Sequence, residues 1–87
     1  MELQEAARMA AGAMGEFGLG QWGFAWNRRK RSLGLCRYRE KRIELSEHFV
    51  KANEAAQVRE TVLHEIAHAL AGEKAGPFAR RAAEVTG

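Results

Sequence analysis

The sequence predicts an α+β fold, because apolar side chains recur at helical spacing near both ends and alternate in the middle. Residues 2–14 place an apolar side chain at every third or fourth position. Residues 21–46 carry short alternating runs that are typical of strands. Residues 54–71 again place apolar side chains at helical spacing, over a length typical of a helix. A helix, then strands, then helices indicate one α+β domain.

The first element is predicted to be a helix over residues 2–14. Glu2 and Glu5 stand near its N-terminus, where the helix dipole favours negative charge. Gly15 and two further glycines should end it, because glycine interrupts helical patterns. We therefore expect the strands to begin only after residue 20.

Three strands are predicted in the middle of the chain, over residues 21–27, 32–38 and 42–46. In the first, Trp22, Phe24 and Trp26 alternate with small residues, which is the period of a strand with one bulky face. Strands so close in sequence favour an antiparallel meander. The basic run at residues 28–31 is then predicted to be a hairpin turn.

Three helical segments are predicted after the strands. Ser46 is expected to cap a short helical turn over residues 47–52. The long helix follows, with Asn53 as its expected N-cap and Gly72 as its expected end. Pro77 suits the first position of a short closing helix.

Composition indicates a globular protein of one domain. The chain has 87 residues, of which 46% are hydrophobic and 29% charged, and it has no apolar run long enough to cross a bilayer. Its one cysteine, Cys36, excludes an intrachain disulfide and fits a reducing compartment. The N-terminal residues do not form a signal-peptide pattern. We therefore expect a cytoplasmic protein with no membrane partner.

Positive charge is concentrated in residues 28–42, with eight basic residues and one glutamate, whereas the whole chain has a net charge of +3. The basic residues are Arg28, Arg29, Lys30, Arg31, Arg37, Arg39, Lys41 and Arg42. On a hairpin they would form one positive face for the phosphates of nucleic acid, with Trp22 and Trp26 as stacking surfaces. A solvated hairpin whose charges protect an edge strand, with both tryptophans in the core, fits the same pattern. The sequence leaves both interpretations open.

The long predicted helix carries two histidines and a glutamate inside its apolar run, as His64-Glu65-x-x-His68. Burying ionisable groups is costly unless something compensates for them. Residues four apart on a helix lie one turn above each other, so both imidazoles can hold one Zn²⁺ ion. Glu65 would then take a proton from a zinc-bound water, as the general base of peptide hydrolysis. A surface helix with two solvated histidines is the alternative, although Thr61–Ala71 contain no other ionisable side chain.

These segments together resemble the SprT-like domain, the metallopeptidase core of the bacterial SprT proteins and the Spartan DNA–protein-crosslink proteases. The resemblance is carried by WGFAWNRRKRSLGLCRY, RIELSEHFV and ETVLHEIAHAL, in the same order and spacing over about residues 17–72. It implies a minimal zincin fold, zinc as the cofactor at His64 and His68, and Glu65 as the general base. Enzymes of this type generally hold an extended peptide along a sheet edge. The resemblance suggests protein or peptide substrates, DNA-associated proteins among them.

One position departs from the family pattern. The family supplies a third zinc ligand, a histidine before a glycine, shortly after the HExxH helix, and here Ala75 precedes Gly76. Catalytic zinc normally has three protein ligands and a water. A substitute could come from another chain or from one of four residues of this chain, namely Glu84, Glu73, His48 and Cys36. His48 also fits a solvated surface, Cys36 also fits the core, and a site disabled at Ala75 is a further alternative.

We therefore predict one minimal zincin-like domain over residues 1–87, without the cysteine-rich zinc ribbon of many relatives. It should contain an N-terminal helix, a three-stranded antiparallel sheet, the HExxH helix and a short C-terminal helix. Its predicted function is zinc-dependent hydrolysis of peptide bonds with Glu65 as the base. The alternative is a catalytically impaired or non-enzymatic module that binds nucleic acid or an acidic partner through residues 28–42.

Overall fold

A computed structural model describes residues 1–74 and has the α+β fold predicted from the sequence. Its elements are α1 (Leu3–Glu16), β1 (Gly23–Asn27), β2 (Gly34–Arg37), β3 (Arg42–Ser46), α2 (Glu47–Ala52) and α3 (Ala55–Lys74). The closing helix predicted from Pro77 lies outside the described residues. None of the helices within residues 1–74 has the length and apolar character that crossing a membrane requires.

The sheet is mixed, so the predicted antiparallel meander is wrong. Strand β3 lies at the centre, where it pairs in parallel with β1 and antiparallel with β2. Burial accounts for this order, because β3 is buried from Ile43 to Ser46, whereas most of β1 is half-buried. The hairpin of this sheet joins β2 to β3, and in its turn Lys41 has a positive φ of 50° and donates its N–H to the carbonyl of Tyr38.

The hairpin turn predicted at residues 28–31 is also wrong, because β1 and β2 are not neighbours. Residues 28–33, which we call the basic loop, instead pass the C-terminal end of β3. Ser46 holds the loop there, since its N–H donates to the carbonyl of Leu33 at 3.0 Å and its hydroxyl donates to the carbonyl of Arg29 at 2.6 Å. The predicted capping role of Ser46 is confirmed, because its hydroxyl also accepts the N–H of Phe49 in α2.

The hydrophobic core lies between one face of the sheet and helices α1 and α3. Small alanine side chains along α1 allow α3 to pack closely against it. The fully buried members of the core are Ala6, Ala10, Ala13, Met14, Leu19, Cys36, Ile43, Leu45, Val50, Val58, Val62, Ile66 and Ala69. Cys36 therefore occupies a core position, and the half-buried Trp22 and Trp26 pack against the core.

Helix α3 differs from the prediction at both ends. Asn53 ends α2, where its side-chain amide donates to a carbonyl of that helix, and α3 begins at Ala55. At its other end α3 continues past Gly72, so Glu73 is helical and does not lie in a loop. Gly72 has a packing role instead, because a Cβ at this position would collide with the ring of Tyr38. Gly72 therefore allows α3 to lie in close contact with the ring of Tyr38.

Candidate metal centre and adjoining cleft

The two histidines of the HExxH motif meet on one side of α3. They are one helical turn apart, and their Nε2 atoms are separated by 3.0 Å. The rings are nearly perpendicular, with centroids 4.5 Å apart. His64 is exposed and His68 is half-buried. The sequence prediction that both imidazoles point to one side agrees with this geometry.

The donor atoms of this pair fit two corners of a zinc site. Two nitrogen ligands at tetrahedral positions, each about 2.0–2.1 Å from a zinc ion, lie about 3.3 Å apart. The observed separation of 3.0 Å is close to that value. Burial, and then the neighbouring His64, lower the pKa of His68. This imidazole is therefore neutral at physiological pH, which is the form that binds a metal.

Residues 1–74 do not supply a third ligand. They contain no group of three or more histidine, cysteine, aspartate or glutamate side chains that could hold a metal ion. His48 is exposed on α2, Glu73 is exposed on α3, and Cys36 is buried in the core, so none of them joins the imidazole pair. Glu84 and Ala75 lie outside the described residues. The described part of the chain therefore provides two nitrogen donors.

Glu65 is buried although it is adjacent in sequence to an exposed histidine. It lies in line with Val58, Val62 and Ala69 on the buried side of α3, and only 2% of its surface is exposed. Its Oε1 atom is buried without a hydrogen-bond partner. Burial raises the pKa of Glu65 to about 7. A buried acceptor without a partner lowers the stability of a fold, so packing alone does not explain this residue.

The side chain of Glu65 runs along Gly34 at the start of β2. A Cβ at position 34 would lie 3.2 Å from Cγ of Glu65 and 3.0 Å from Cγ2 of Thr61. The absence of a side chain at Gly34 therefore lets α3 approach the sheet closely. Strand β2 is at the edge of the sheet within residues 1–74, because β3 alone pairs with it. Glu65 thus adjoins an edge strand.

A cleft of about 610 Å³ opens between α3 and the basic loop. Its lining residues are Arg29, Arg31, Ser32, Leu33, Gly34, Leu35, Glu60, Thr61, His64 and Glu65. The volume is within the range of sites that bind small molecules or segments of a larger substrate. A substrate in this cleft would contact the helix that carries Glu65 on one side and the basic loop on the other.

The basic residues of segment 28–42 are divided among different surroundings. Arg29 and Arg31 line the cleft, and Arg28 forms an exposed ion pair with Glu47 at 3.5 Å. Arg37 and Arg42 extend over the sheet to a buried glutamate, Glu44. The sequence pattern did not indicate the cleft-lining role of Leu33, Leu35, Glu60 and Thr61. That role depends on the packing of β2 against α3. In the sequence, the small residue Gly34 was the local feature that could have indicated this packing.

Glu44 lies on the face of the sheet opposite the core, because its neighbours Ile43 and Leu45 face the core. It is 5% exposed. Its carboxylate accepts hydrogen bonds from all three strands, namely from Asn27 at 3.0 Å, Arg37 at 2.8 Å and Arg42 at 3.0 Å. Burial alone would raise the pKa of Glu44, but these three hydrogen bonds outweigh it and lower the pKa below its usual value. Glu44 therefore joins the strands through a fully partnered carboxylate.

Comparison with known proteins identifies one family. A family model described as the SprT-like family matches residues 4–81. This match extends beyond the segment at about residues 17–72 that carries the recognisable motifs. Comparisons with curated proteins and with solved structures found no match.

Proposed function

The chain belongs to the SprT-like family, and from this membership we propose that it is a zinc-dependent metallopeptidase with His64, Glu65 and His68 at its catalytic centre. The observation that supports the proposal best is the buried, unpartnered Oε1 of Glu65, which follows directly in sequence on the first of two imidazoles whose Nε2 atoms are 3.0 Å apart. Packing alone does not account for an unpartnered proton acceptor in this position. It suits a residue that accepts a proton from a water molecule in the cleft.

Each residue of the proposed centre has its own role. His64 and His68 would hold zinc through their Nε2 atoms. When bound, zinc acts as a Lewis acid that polarises the peptide carbonyl and makes water more acidic. Glu65 accepts a proton from the attacking water and delivers it to the leaving nitrogen. Burial raises its pKa to about 7, and a bound cation would lower this pKa and so favour the deprotonated carboxylate at neutral pH.

The position of β2 suggests how a peptide would reach Glu65. An extended peptide can add to an edge strand through backbone hydrogen bonds. Gly34 and Leu35 of β2 line the same cleft as Glu65. A peptide beside β2 would therefore bring its backbone carbonyls close to the helix that carries the proposed base.

Hydrolysis of a disordered protein substrate by the zinc-loaded chain tests the proposal. We expect cleavage that a chelator abolishes and that added zinc restores. The double variant H64N/H68N should lose both zinc and activity, because it lacks both imidazoles. The matched control H48N removes an exposed histidine of α2 and should retain both. Cleavage by the double variant at the wild-type rate would contradict the proposed site.

A second candidate function is binding without catalysis, to nucleic acid or to an acidic partner. It is favoured by Ala75, which stands where the family supplies its third metal ligand. It is also favoured by four exposed cations of segment 28–42 that form no ion pair with a described residue, namely Arg29, Lys30, Arg31 and Lys41. Affinity for an oligonucleotide across a salt series tests it, because phosphate contacts weaken steeply as salt increases.

Restoring a histidine at position 75 separates the two candidates. Ala75 occupies the place where the family supplies its third ligand. If A75H raises both zinc affinity and peptidase activity, the natural chain is a weakened peptidase. If A75H changes neither, binding without catalysis is the better description.

A further inference from the structure

We propose that the cleft selects acidic peptides, with Arg29 and Arg31 binding a carboxylate side chain and Leu33 and Leu35 contacting an apolar side chain next to it. The inference rests on the proposed function, because the cleft that holds these four residues also contains Glu65. It adds a substrate class to that function.

The basic loop, which carries the two arginines, is held by hydrogen bonds near both of its ends. At its start, the side-chain oxygen of Asn27 accepts the backbone N–H of Arg29 at 3.1 Å, and the hydroxyl of Ser46 donates to the carbonyl of Arg29 at 2.6 Å. At its far end, the N–H of Ser46 donates to the carbonyl of Leu33 at 3.0 Å. Arg31 lies between these anchors. A loop held in this way binds with a smaller loss of conformational entropy than a free loop.

The two arginines are available to a ligand. Both are exposed, and neither forms an ion pair with another described residue. Arg28 and Arg37 differ in this respect, because each is paired with a glutamate. A guanidinium group can bind a carboxylate through two parallel N–H bonds, so Arg29 and Arg31 are matched to an acidic side chain.

The rest of the cleft favours a peptide over nucleic acid. Glu60 on α3 lines the same cleft as the arginines of the basic loop, and its carboxylate would repel a continuous row of phosphates. Leu33 is 52% exposed, the most exposed of the large hydrophobic residues in the described part of the chain. It provides apolar surface beside the arginines, and the largely buried Leu35 lines the cleft next to it. One carboxylate next to an apolar side chain matches this arrangement better than a phosphodiester backbone does.

Binding to the inactive variant E65Q of the 87-residue chain tests the inference without turnover. The probes are two labelled decapeptides that differ only in one residue, glutamate or glutamine, next to a leucine. We expect the glutamate peptide to bind about tenfold more tightly, which is the gain expected of one charge-assisted hydrogen bond. Binding of the same pair to the wild-type chain at short times checks that E65Q has not altered the preference.

Two double variants in the E65Q background distinguish binding by the two arginines of the cleft from attraction by the overall positive charge of the protein. R29Q/R31Q should reduce the tenfold preference to less than about twofold, because it removes both guanidinium groups of the cleft. R8Q/K30Q makes the same change in net charge at an exposed position on α1 and at a loop residue outside the cleft. This control should keep the preference. Equal binding of the two peptides to E65Q overturns the inference.

A single-stranded oligonucleotide is the third probe. If it binds E65Q more tightly than the glutamate peptide does, and R29Q/R31Q weakens its binding more than R8Q/K30Q does, the basic loop is a nucleic-acid surface. That result also overturns the inference. Weak oligonucleotide binding that both double variants reduce equally, together with the peptide preference described above, supports the inference.

Cleavage rates distinguish failure of this inference from failure of the proposed function. If the zinc-loaded wild type cleaves the glutamate and glutamine peptides at equal rates, the peptidase proposal stands and the selectivity is wrong. If it cleaves neither peptide but binds the glutamate peptide tenfold more tightly, the preference of the cleft stands and the peptidase proposal is wrong.

Discussion

Glu44 and Glu65 are two buried glutamates with opposite surroundings. Glu44 is 5% exposed and accepts hydrogen bonds from each of the three strands. Glu65 is 2% exposed, and its Oε1 atom has no partner. A partnered carboxylate strengthens the sheet, whereas an unpartnered one reduces stability and calls for another explanation. The contrast shows that the carboxylate of Glu44 stabilises the fold, and it supports the proposal that Glu65 acts as the general base.

The two carboxylates also titrate in opposite directions. Hydrogen bonds lower the pKa of Glu44 although burial alone would raise it, and burial raises the pKa of Glu65 to about 7. Glu44 is therefore held as a carboxylate, whereas Glu65 in the metal-free protein can take up and release a proton near neutral pH.

The largest effect is expected for E65Q on peptide hydrolysis. We expect kcat to fall by about a thousandfold, because an amide cannot accept the proton of the attacking water. Zinc content should not change, since Glu65 is not expected to be a ligand. The variant E44Q, measured beside it, should keep the activity of each folded molecule. An E65Q variant with wild-type kcat would contradict the role of Glu65.

The next effect is on the pH dependence of stability in the metal-free protein. The pKa of Glu65 is raised from 4.5 to about 7 on folding, so its stabilising contribution is full below pH 4.5 and is lost as the pH rises through 7. Between pH 5 and pH 8 the wild type should lose up to about 3 kcal/mol relative to E65Q. Urea unfolding of both proteins in a chelator measures this difference. A difference that does not change with pH would contradict the burial of an unpartnered carboxylate.

E44Q should lower the free energy of unfolding at pH 7 by about 2 kcal/mol, because it removes the charge that the two arginines contact. The lowered pKa means that Glu44 stabilises the fold above pH 4.5 and that this contribution is lost as the pH falls through its folded pKa.

The matched control for E44Q is E47Q. Glu47 pairs with the exposed Arg28 at 3.5 Å and with Lys51 at 4.0 Å, and such surface pairs contribute less than about 0.5 kcal/mol. Denaturant unfolding at pH 7 compares the two variants. Equal loss of stability in E44Q and E47Q would show that the partners of Glu44 do not matter.

The smallest effects are expected for two glycine-to-alanine substitutions that should change stability in opposite directions. G34A places a Cβ 3.2 Å from Cγ of Glu65, so it should lower stability by about 1 kcal/mol and reduce activity by displacing Glu65. G12A lies at an exposed position of α1, with open space around the new Cβ. It should raise stability by about 0.5–1 kcal/mol, since alanine favours helix. Thermal unfolding measures both, and the same sign for the two would contradict the close packing at Gly34.

Local features of the structure could be predicted from the sequence. The spacing of apolar residues predicted α1 to within two residues, and the pattern at residues 42–46 predicted β3. The capping role of Ser46 and the meeting of His64 and His68 on one side of α3 also follow from neighbours in the chain. These features depend on contacts between residues that are at most four positions apart.

Features that depend on distant contacts could not be predicted. In the central strand β3, Glu44 has hydrogen-bond partners in both β1 and β2. In the sequence it is one polar residue between two apolar ones, a pattern that is equally typical of a strand with one exposed face. Gly72 was predicted to end a helix, since glycine commonly does so. Its contact with Tyr38, which lies 34 positions earlier in the chain, could not be seen in the local pattern. The cleft was missed for the same reason, since it requires β2 and the basic loop to lie beside α3.

Metal analysis of the purified chain in the presence of zinc shows whether His64 and His68 hold a zinc ion. We predict about one zinc ion per chain in the wild type and in both E65Q and E44Q, and none in H64N/H68N. A stoichiometry near zero in the wild type, or zinc that remains bound to H64N/H68N, would contradict a zinc site at these two histidines.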